Sequence, residues 1–513
     1  MRIFLFGIDG LTFRILDPLM MRGLLPNFQR LQDGGVRSIL KSTTPPLTPP
    51  AWMSISTGMS PAKHGVYDFW TYEQSEHGPR AHAMTHRRDG KAIWDVLSEL
   101  GKRVVVANVP VTYPPEPVNG IMLSGYMAPG MQADVTYPKS FKEELLEAVP
   151  GYQIDLNPAV ESGQAGDPLT ETLKMTDERV AMLRLLLQKS WDFFFIVFTG
   201  ADRIQHVRWR EIMAFHARAV AYYQKLDEAL ELVMGSLRAG DLLVIVSDHG
   251  FQGIDRQFYI QEYLYRQGLL RLRDREAHRR AAFRNGVAER MRRVLWAMRL
   301  QGVPTFMRRQ CYRLGIKALQ KEPLIAKLPD LDWVNKHAWL QSVSGDLAGY
   351  ADIFLDDTLT EDQIGTLAAA LQEVRDPETG KPLVAEVHRE DAFGTGAFAP
   401  RERHLVLIAG ENTTMRAETG MKNLWNSCRP YGIHHPDGIL YLYGAGVKKG
   451  ITIDSAHVYD IAPTILSCMG APLPREIDGR MLAEAFEQIP AKDSRTKEDS
   501  RVMQKLKKLA VLE

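Results

Sequence analysis

Five short segments carry side chains that could do chemistry together. Asp9 closes the run Arg2-Ile3-Phe4-Leu5-Phe6-Gly7-Ile8-Asp9-Gly10, and Asp202 and His206 stand four apart after the apolar stretch 192–198. Asp248-His249-Gly250 follows the apolar stretch 241–247, and His434-His435 lies just before the apolar stretch 439–443. Carboxylate oxygen and neutral imidazole nitrogen are donors that suit Zn²⁺ and Mn²⁺, and no cysteine takes part. An Asp and a His four apart share one helical turn and can face the same ion. The fifth segment, 42–50, offers hydroxyls at Thr43, Thr44 and Thr48 just before a helix. A hydroxyl at a helix N-terminus beside a divalent cation is activated as a nucleophile. Taken singly, each of these residues reads more simply as a helix cap or a core hydrogen bond, because Asp and Thr are favoured N-caps. Taken together they point to metal, since carboxylates buried side by side without cations are costly and have raised pKa values.

The elements that must position these groups follow an α/β pattern. The run 3–8 reads as a strand buried on both faces, and its acid would lie at the carboxyl edge where open α/β sheets bind ligands. Helical spacing over Leu11 to Leu31 is broken at Pro26, and Val36 to Leu40 is strand-like. Ala51 to Gly58 reads as a helix whose first turn tolerates Pro49 and Pro50. Strands are expected over Arg103–Asn108, Ile121–Ser124, Asp192–Phe198 and Asp241–Ser247. The helices between them are expected over Ala92–Leu100, Ser140–Ala148, Leu169–Lys189 and Arg210–Leu237. The alternation is that of a doubly wound, mostly parallel sheet flanked by helices. It resumes at Gly438–Gly444 and the helix His457–Met469.

Together these stretches resemble the type I phosphodiesterase/nucleotide pyrophosphatase family of the alkaline phosphatase superfamily. The resemblance rests on Gly7-Ile8-Asp9-Gly10, Thr48-Pro49-Pro50-Ala51-Trp52 with Ser54 and Thr57-Gly58, Asp202 with His206, Asp248-His249-Gly250, His434, and the closing helix from His457. It covers about 1–250 and 430–482. It implies an alkaline phosphatase-like fold and two divalent ions, zinc or manganese. One would be held by Asp202, His206 and His434, the second by Asp9, Asp248 and His249, with Thr48 as the nucleophile. His435 is the fallback for His434, and His64 is taken as structural. Nucleotide-cleaving members typically carry an Asn three residues after the nucleophile and another shortly after the His-Gly pair. Here Ala51 takes the first place and Asp68-Phe69 the second. The implied activity is hydrolysis of a phosphodiester or related phosphoester in a small molecule. Phosphoryl or phospho-alcohol transfer at the same site is the alternative, and a non-catalytic surface-binding protein of this fold the distant one.

Length and composition set the outer bounds. At 513 residues the chain exceeds one usual core. The expected division is a discontinuous catalytic domain (1–251 and 430–490), a basic helical insertion (252–331), an α+β cap region (332–429) and a charged tail (491–513). In the insertion, arginines such as Arg279, Arg280, Arg292 and Arg293 interleave with Leu295, Trp296 and Phe306. A solvated helical face is the plain reading. A lid for an anionic substrate, or contact with an anionic membrane surface, is the sharper one. Lys+Arg 63 against Asp+Glu 62 gives no global field, so no nucleic acid polymer is expected as a partner. Three scattered cysteines suit a reducing compartment. No apolar run approaches the roughly 18 residues of a membrane span, and Asp9 interrupts the N-terminal run too early for a signal peptide. The expected location is the cytoplasm.

Overall fold

The Ile3–Ile8 strand is the centre of the largest sheet, and its six residues are all buried. Phe4, Phe6 and Ile8 face one hydrophobic layer, while Ile3 and Leu5 face the other, as strand alternation requires. In the computed structural model, which describes residues 1–73, 80–83, 88–157, 160, 166–270, 338–340, 349–389, 393–399 and 403–488, this strand lies between Phe193–Phe198 and Leu242–Val246. It is parallel to both, with Ile8 opposite Phe198 and Gly7 opposite Val246. Val104–Val109 and Gly120–Ser124 continue the parallel run on one side. On the other side Asp437–Gly444 is antiparallel both to Leu242–Val246 and to Val36–Lys41.

Helices cover both faces. Phe13–Met20, Pro26–Gly34, Pro168–Leu187, Gly200–Met213 and Ala217–Ser236 pack on the layer of Phe4 and Phe6. Thr48–Thr57, Ile93–Glu99 and Ile461–Cys468 pack on the other through Trp52, Ile93, Trp94, Ile461 and Ile465. Each large side chain buried this way contributes about 1.5–3 kcal/mol. The three layers put the carboxyl ends of three neighbouring parallel strands side by side on one edge, and the chemistry-bearing residues stand there.

Three expectations change. The single helix expected over Arg210–Leu237 is the last turn of one helix and all of the next, interrupted at residues 214–216, where Phe215 takes a φ of 54°. An aromatic residue has no preference for that left-handed region, so the break leaves little trace in sequence. The segment after His249 does not enter a helical insertion at Gln252. Gly250–Tyr259 is a strand with Phe251, Ile254 and Phe258 buried, antiparallel to Trp425–His435 and parallel to Thr413–Arg416. Both strands cross the boundaries expected at 252 and 430, because each pairs with a segment on the far side of them. The helix Ile260–Arg266 follows, and residues 271–331 of the basic segment and the tail 491–513 lie outside the described residues.

The cap region is α+β. Ala338–Leu340, Tyr350–Leu355, His404–Ala409 and Val384–His388 form an antiparallel sheet, and Glu361–Gln372 packs on it through Ile364, Leu367 and Leu371. Among the described residues no helix is long and apolar enough to cross a membrane.

Candidate metal centre

Asp9 leaves the first strand with its N–H still bonded to Phe198 O at 2.9 Å, and its own carbonyl accepts the N–H of Asp202 at 3.1 Å. The ends of two neighbouring strands are thereby fastened together. Gly10 follows with φ 71°, and a Cβ there would meet the Phe251 ring at 2.7 Å, so the turn requires glycine. The N–H of Gly10 donates to Asp248 Oδ1 at 3.1 Å and that of Leu11 to Ser247 Oγ at 2.8 Å, which ties in the third strand end. Asp202 and His206 share a face of the Gly200–Met213 helix. His434 arrives from the Trp425–His435 strand, opposite Phe251.

All six expected ligands meet, and all but His206 are buried. His434 Nε2 lies 3.1 Å from Asp202 Oδ1 and 3.2 Å from His206 Nε2, which is itself 3.3 Å from Asp202 Oδ1. His249 Nε2 lies 3.3 Å from Asp248 Oδ2 and 3.6 Å from Asp9 Oδ1. The two groups touch, since the His249 and His434 rings stack with centroids 3.7 Å apart. Asp202, His249 and His434 also bring ligand atoms within 4.8 Å of one another, as do Asp9, Asp248 and His249. His249 therefore stands between both groups rather than inside one.

Every one of these imidazoles is turned the same way. His206 Nδ1 faces Gly432 O at 3.0 Å, His249 Nδ1 faces Gly250 O at 3.1 Å and His434 Nδ1 faces Pro46 O at 2.9 Å. A carbonyl oxygen only accepts, so Nδ1 carries the proton and a neutral ring presents a bare lone pair at Nε2. Those lone pairs point at carboxylate oxygens, which also only accept. Asp9 Oδ1 and Asp248 Oδ2 are buried with no hydrogen-bond donor. These undonated acceptors converge on one point, and the residues present fit a divalent cation.

The electrostatics agree. Burial, then the neighbouring Asp202, hold Asp9 well above the ordinary carboxylate range, and burial and Asp9 do the same to Asp248. Burial would raise Asp202 too, but the facing His206 and His434 and the Arg203 guanidinium bring it well below. Burial pushes His249 and His434 down, toward the neutral ligand form.

Thr48 is the first residue of its helix, and its Oγ1 lies 3.3 Å from His249 Nε2. Thr43 instead donates its hydroxyl to Pro45 O at 2.7 Å. His435 is directed away from the group, as alternation along a strand demands, and accepts the N–H of Asp437 at 3.2 Å. His64 closes the short helix Pro61–His64 and is buried against Ser54 Oγ at 3.0 Å. Sequence reasoning passed over two contributors. Trp52 Nε1 donates to Asp9 Oδ2 at 3.0 Å, one helical turn after Thr48, a spacing that could have marked it. Arg203 Nη1 donates to Asp202 Oδ2 at 3.1 Å, with only its adjacency in sequence as a signal.

Sheet, strand-end carboxylates and imidazoles define an alkaline phosphatase-like α/β protein with Asp/His clusters that could hold metal. The chain belongs to the type I phosphodiesterase/nucleotide pyrophosphatase family, whose model matches residues 3–301, and it is a hydrolase of phosphoester bonds. The match runs past residue 252 into the basic segment and does not reach the closing strands near His434. No curated protein matches the sequence. Among solved structures, murine ectonucleotide pyrophosphatase/phosphodiesterase 5 is similar with a TM-score of 0.54 at 11% identity, over 95% of this chain and 100% of that one. Phosphonoacetate hydrolase from Sinorhizobium meliloti 1021, in complex with phosphonoformate, is similar with a TM-score of 0.55 at 16% identity, over 90% of this chain and 93% of that one. At such identities these likenesses speak to the fold.

Proposed function

We propose that the protein cleaves a phosphodiester or related phosphoester of a small molecule, using Thr48 as nucleophile and two divalent cations, with zinc ahead of manganese for a mixed carboxylate and imidazole donor set. The observation that carries this reading is a hydroxyl at a helix N-terminus, 3.3 Å from His249 Nε2, at the edge of a buried group in which Asp9 Oδ1 and Asp248 Oδ2 have no hydrogen-bond partner. Asp202, His206 and His434 would hold one ion and Asp9, Asp248 and His249 the other. Bound there, the ions supply polarisation of the phosphoryl oxygens and stabilisation of the leaving alkoxide.

The chain's own residues do the rest. Thr48 gives up its hydroxyl proton and Oγ1 attacks phosphorus in line; a Thr–O–P bond forms, the bond to the leaving oxygen breaks and that oxygen gains a proton. Water then cleaves the phosphothreonine, its OH going to phosphorus and its other proton restoring the Thr48 hydroxyl. Leu47 precedes the helix without a side-chain cap, so the helix N-terminus stays available to the charge that develops at Thr48. Trp52 fixes Asp9 in place. An inactive threonine-to-alanine form of the murine neighbour is described in complex with AMP, which supports a threonine as the reacting group and a small phosphoester as the substrate class. Ala51 has no side-chain donor where nucleotide-cleaving relatives are expected to carry Asn, which argues for a substrate other than a nucleotide. The reading keeps the catalytic domain discontinuous, with the cap region and the basic segment controlling access. It also keeps the protein in the cytoplasm, in line with the free thiols of Cys428 and Cys468.

The experiment is metal analysis together with turnover. Protein purified with its metal retained should carry two divalent ions per chain and hydrolyse an aryl phosphodiester faster than the monoester. Metal-replete protein silent on phosphodiesters, monoesters and phosphonate esters overturns the reading, and so does Thr48→Ala with undiminished turnover.

A further inference from the structure

Behind Asp202 stands a chain of charged groups that ligation alone does not explain. Arg203 Nη1 donates to Asp202 Oδ2 at 3.1 Å, the oxygen turned away from the imidazoles. The same guanidinium grips Asp155 with two bonds, Nη2 to Oδ2 at 2.6 Å and Nε to Oδ1 at 3.3 Å, and lies 4.3 Å over the ring of Tyr126. Asp155 Oδ1 is held from behind by Thr199 Oγ1 at 3.4 Å and by the N–H of Leu156 at 2.8 Å. Thr199 Oγ1 in turn accepts from Arg179 Nη2 at 3.1 Å, and that nitrogen also donates to Ile154 O at 2.5 Å. Side-chain exposure along the chain is low, 4% at Asp202, 14% at Arg203 and 8% at Asp155. Arg179 is 1% exposed.

A free carboxylate can offer a cation one oxygen or two. With Oδ2 occupied by Arg203, only Oδ1 is left, and it is the oxygen that faces His206 and His434. A bare arginine beside a cation site would repel the cation. Here Asp155 neutralises it while leaving an Nη1–H directed at Asp202, so the pin costs little in Coulomb energy. We propose that Asp155 and Arg203 form a positioning pair that holds Asp202 as a one-oxygen ligand and sets the affinity of the ion shared with His206 and His434. Asp155 lies between the Phe141–Ala148 and Pro168–Leu187 helices. The inference rests on the metal-ligand reading given under Proposed function.

Zinc affinity, measured by competition with a chromogenic chelator on the full chain, tests it. Arg203→Met should weaken one of the two ions 10- to 100-fold, about what loss of a supporting partner costs a metal site, and leave the other within twofold. Arg203→Lys reaches only one carboxylate at a time and should recover part of that loss. Asp155→Asn should move the same ion in the same direction. Wild-type affinity for both ions in Arg203→Met overturns the proposal, and equal weakening of both ions does too, since that is general damage to the fold. If Arg203→Met does not fold, Asp155→Asn decides: an affinity within twofold of wild type for both ions overturns the pair. Wild-type protein that takes up no divalent ion at all is a different result, because it removes the metal reading itself.

Discussion

Replacing Asp9 by Asn should have opposite effects on the metal-free and the metal-loaded protein. Asp9 is 2% exposed; its Oδ2 accepts from Trp52, while its Oδ1 has no donor and faces His249 Nε2 at 3.6 Å. Asn keeps an acceptor for Trp52 and puts an N–H₂ where the orphaned oxygen was, directed at a bare imidazole lone pair. A buried acceptor left without a donor costs about 1–3 kcal/mol, and more when charged, so the metal-free variant should be more stable than the wild type by roughly that amount. The sign depends on pH. Burial and Asp202 raise the Asp9 pKa in the folded state. Its contribution is therefore intact below the unfolded value of about 3.9 and is lost as pH rises through the raised folded value. The advantage of Asn should appear on the alkaline side of that window and vanish near pH 4.

With metal the order should reverse. A four-ligand zinc site yields about 10–16 kcal/mol, hence roughly 3–4 per ligand, so loss of one ligand should weaken that ion by about 10²- to 10³-fold. At a free zinc concentration of about 1,000 times the wild-type Kd, the wild type gains about 4 kcal/mol and the variant about 0.4–1.4. Unfolding midpoints at pH 7.5, in chelator and in zinc, would therefore cross. Asp9→Asn less stable than the wild type in chelator, or equally stabilised by zinc, would make Asp9 a structural cap and refute the reasoning.

Further expectations are open to direct measurement. Thr48→Ala should lower kcat by roughly 10³-fold or more while zinc uptake stays intact; kinetics and metal analysis on the same sample decide. Zinc binding should release protons, because the raised carboxyls of Asp9 and Asp248 must lose theirs, so apparent affinity should climb with pH. Calorimetry in buffers of different ionisation heat reads the number released, and none released contradicts the fit. His435→Ala should retain both ions where His434→Ala loses one, as the two rings leave the strand on opposite sides; metal stoichiometry separates them. Burial pushes His64 down to about 3. Its contribution is then complete above the unfolded value of about 6.5 and is lost as pH falls toward that folded value, at about 1.4 kcal/mol per pH unit. His64→Gln should flatten the fall of stability between pH 6.5 and 4 by one proton, and an unchanged slope would show His64 to be solvated.

The sheet was legible because its three central parallel strands, Ile3–Ile8, Phe193–Phe198 and Leu242–Val246, are short apolar runs whose residues are all buried. The ligands were legible because they stand where those runs stop, and the positions of Asp9, Asp202 and Asp248 needed only the strand boundaries. Other features depend on partners distant in sequence. Gly250–Tyr259 mixes Phe251, Ile254 and Phe258 with Asp255, Arg256 and Gln257, and becomes a strand because Trp425–His435 pairs with it. The Asp155–Arg203 contact joins a loop to a helix, and adjacency to Asp202 says nothing of Asp155.

The least legible part of the centre is the part that orients it. Three imidazoles share one tautomer because three backbone carbonyls, at Pro46, Gly250 and Gly432, take the Nδ1 protons. Every residue has a carbonyl, so no residue type announces this role. The two glycines leave a trace: a Cβ at Gly432 would run into the backbone of Gln205, so only glycine lets the strand come close enough to meet His206, and a Cβ at Gly250 would run into the backbone of Asp437. Orientation by backbone also makes the centre hard to loosen by side-chain replacement outside the ligands, except where a side chain holds a ligand directly. Among the described residues Trp52 does so for Asp9 and Arg203 for Asp202. Those two positions, more than the surrounding core, should govern how tightly the centre closes on an ion.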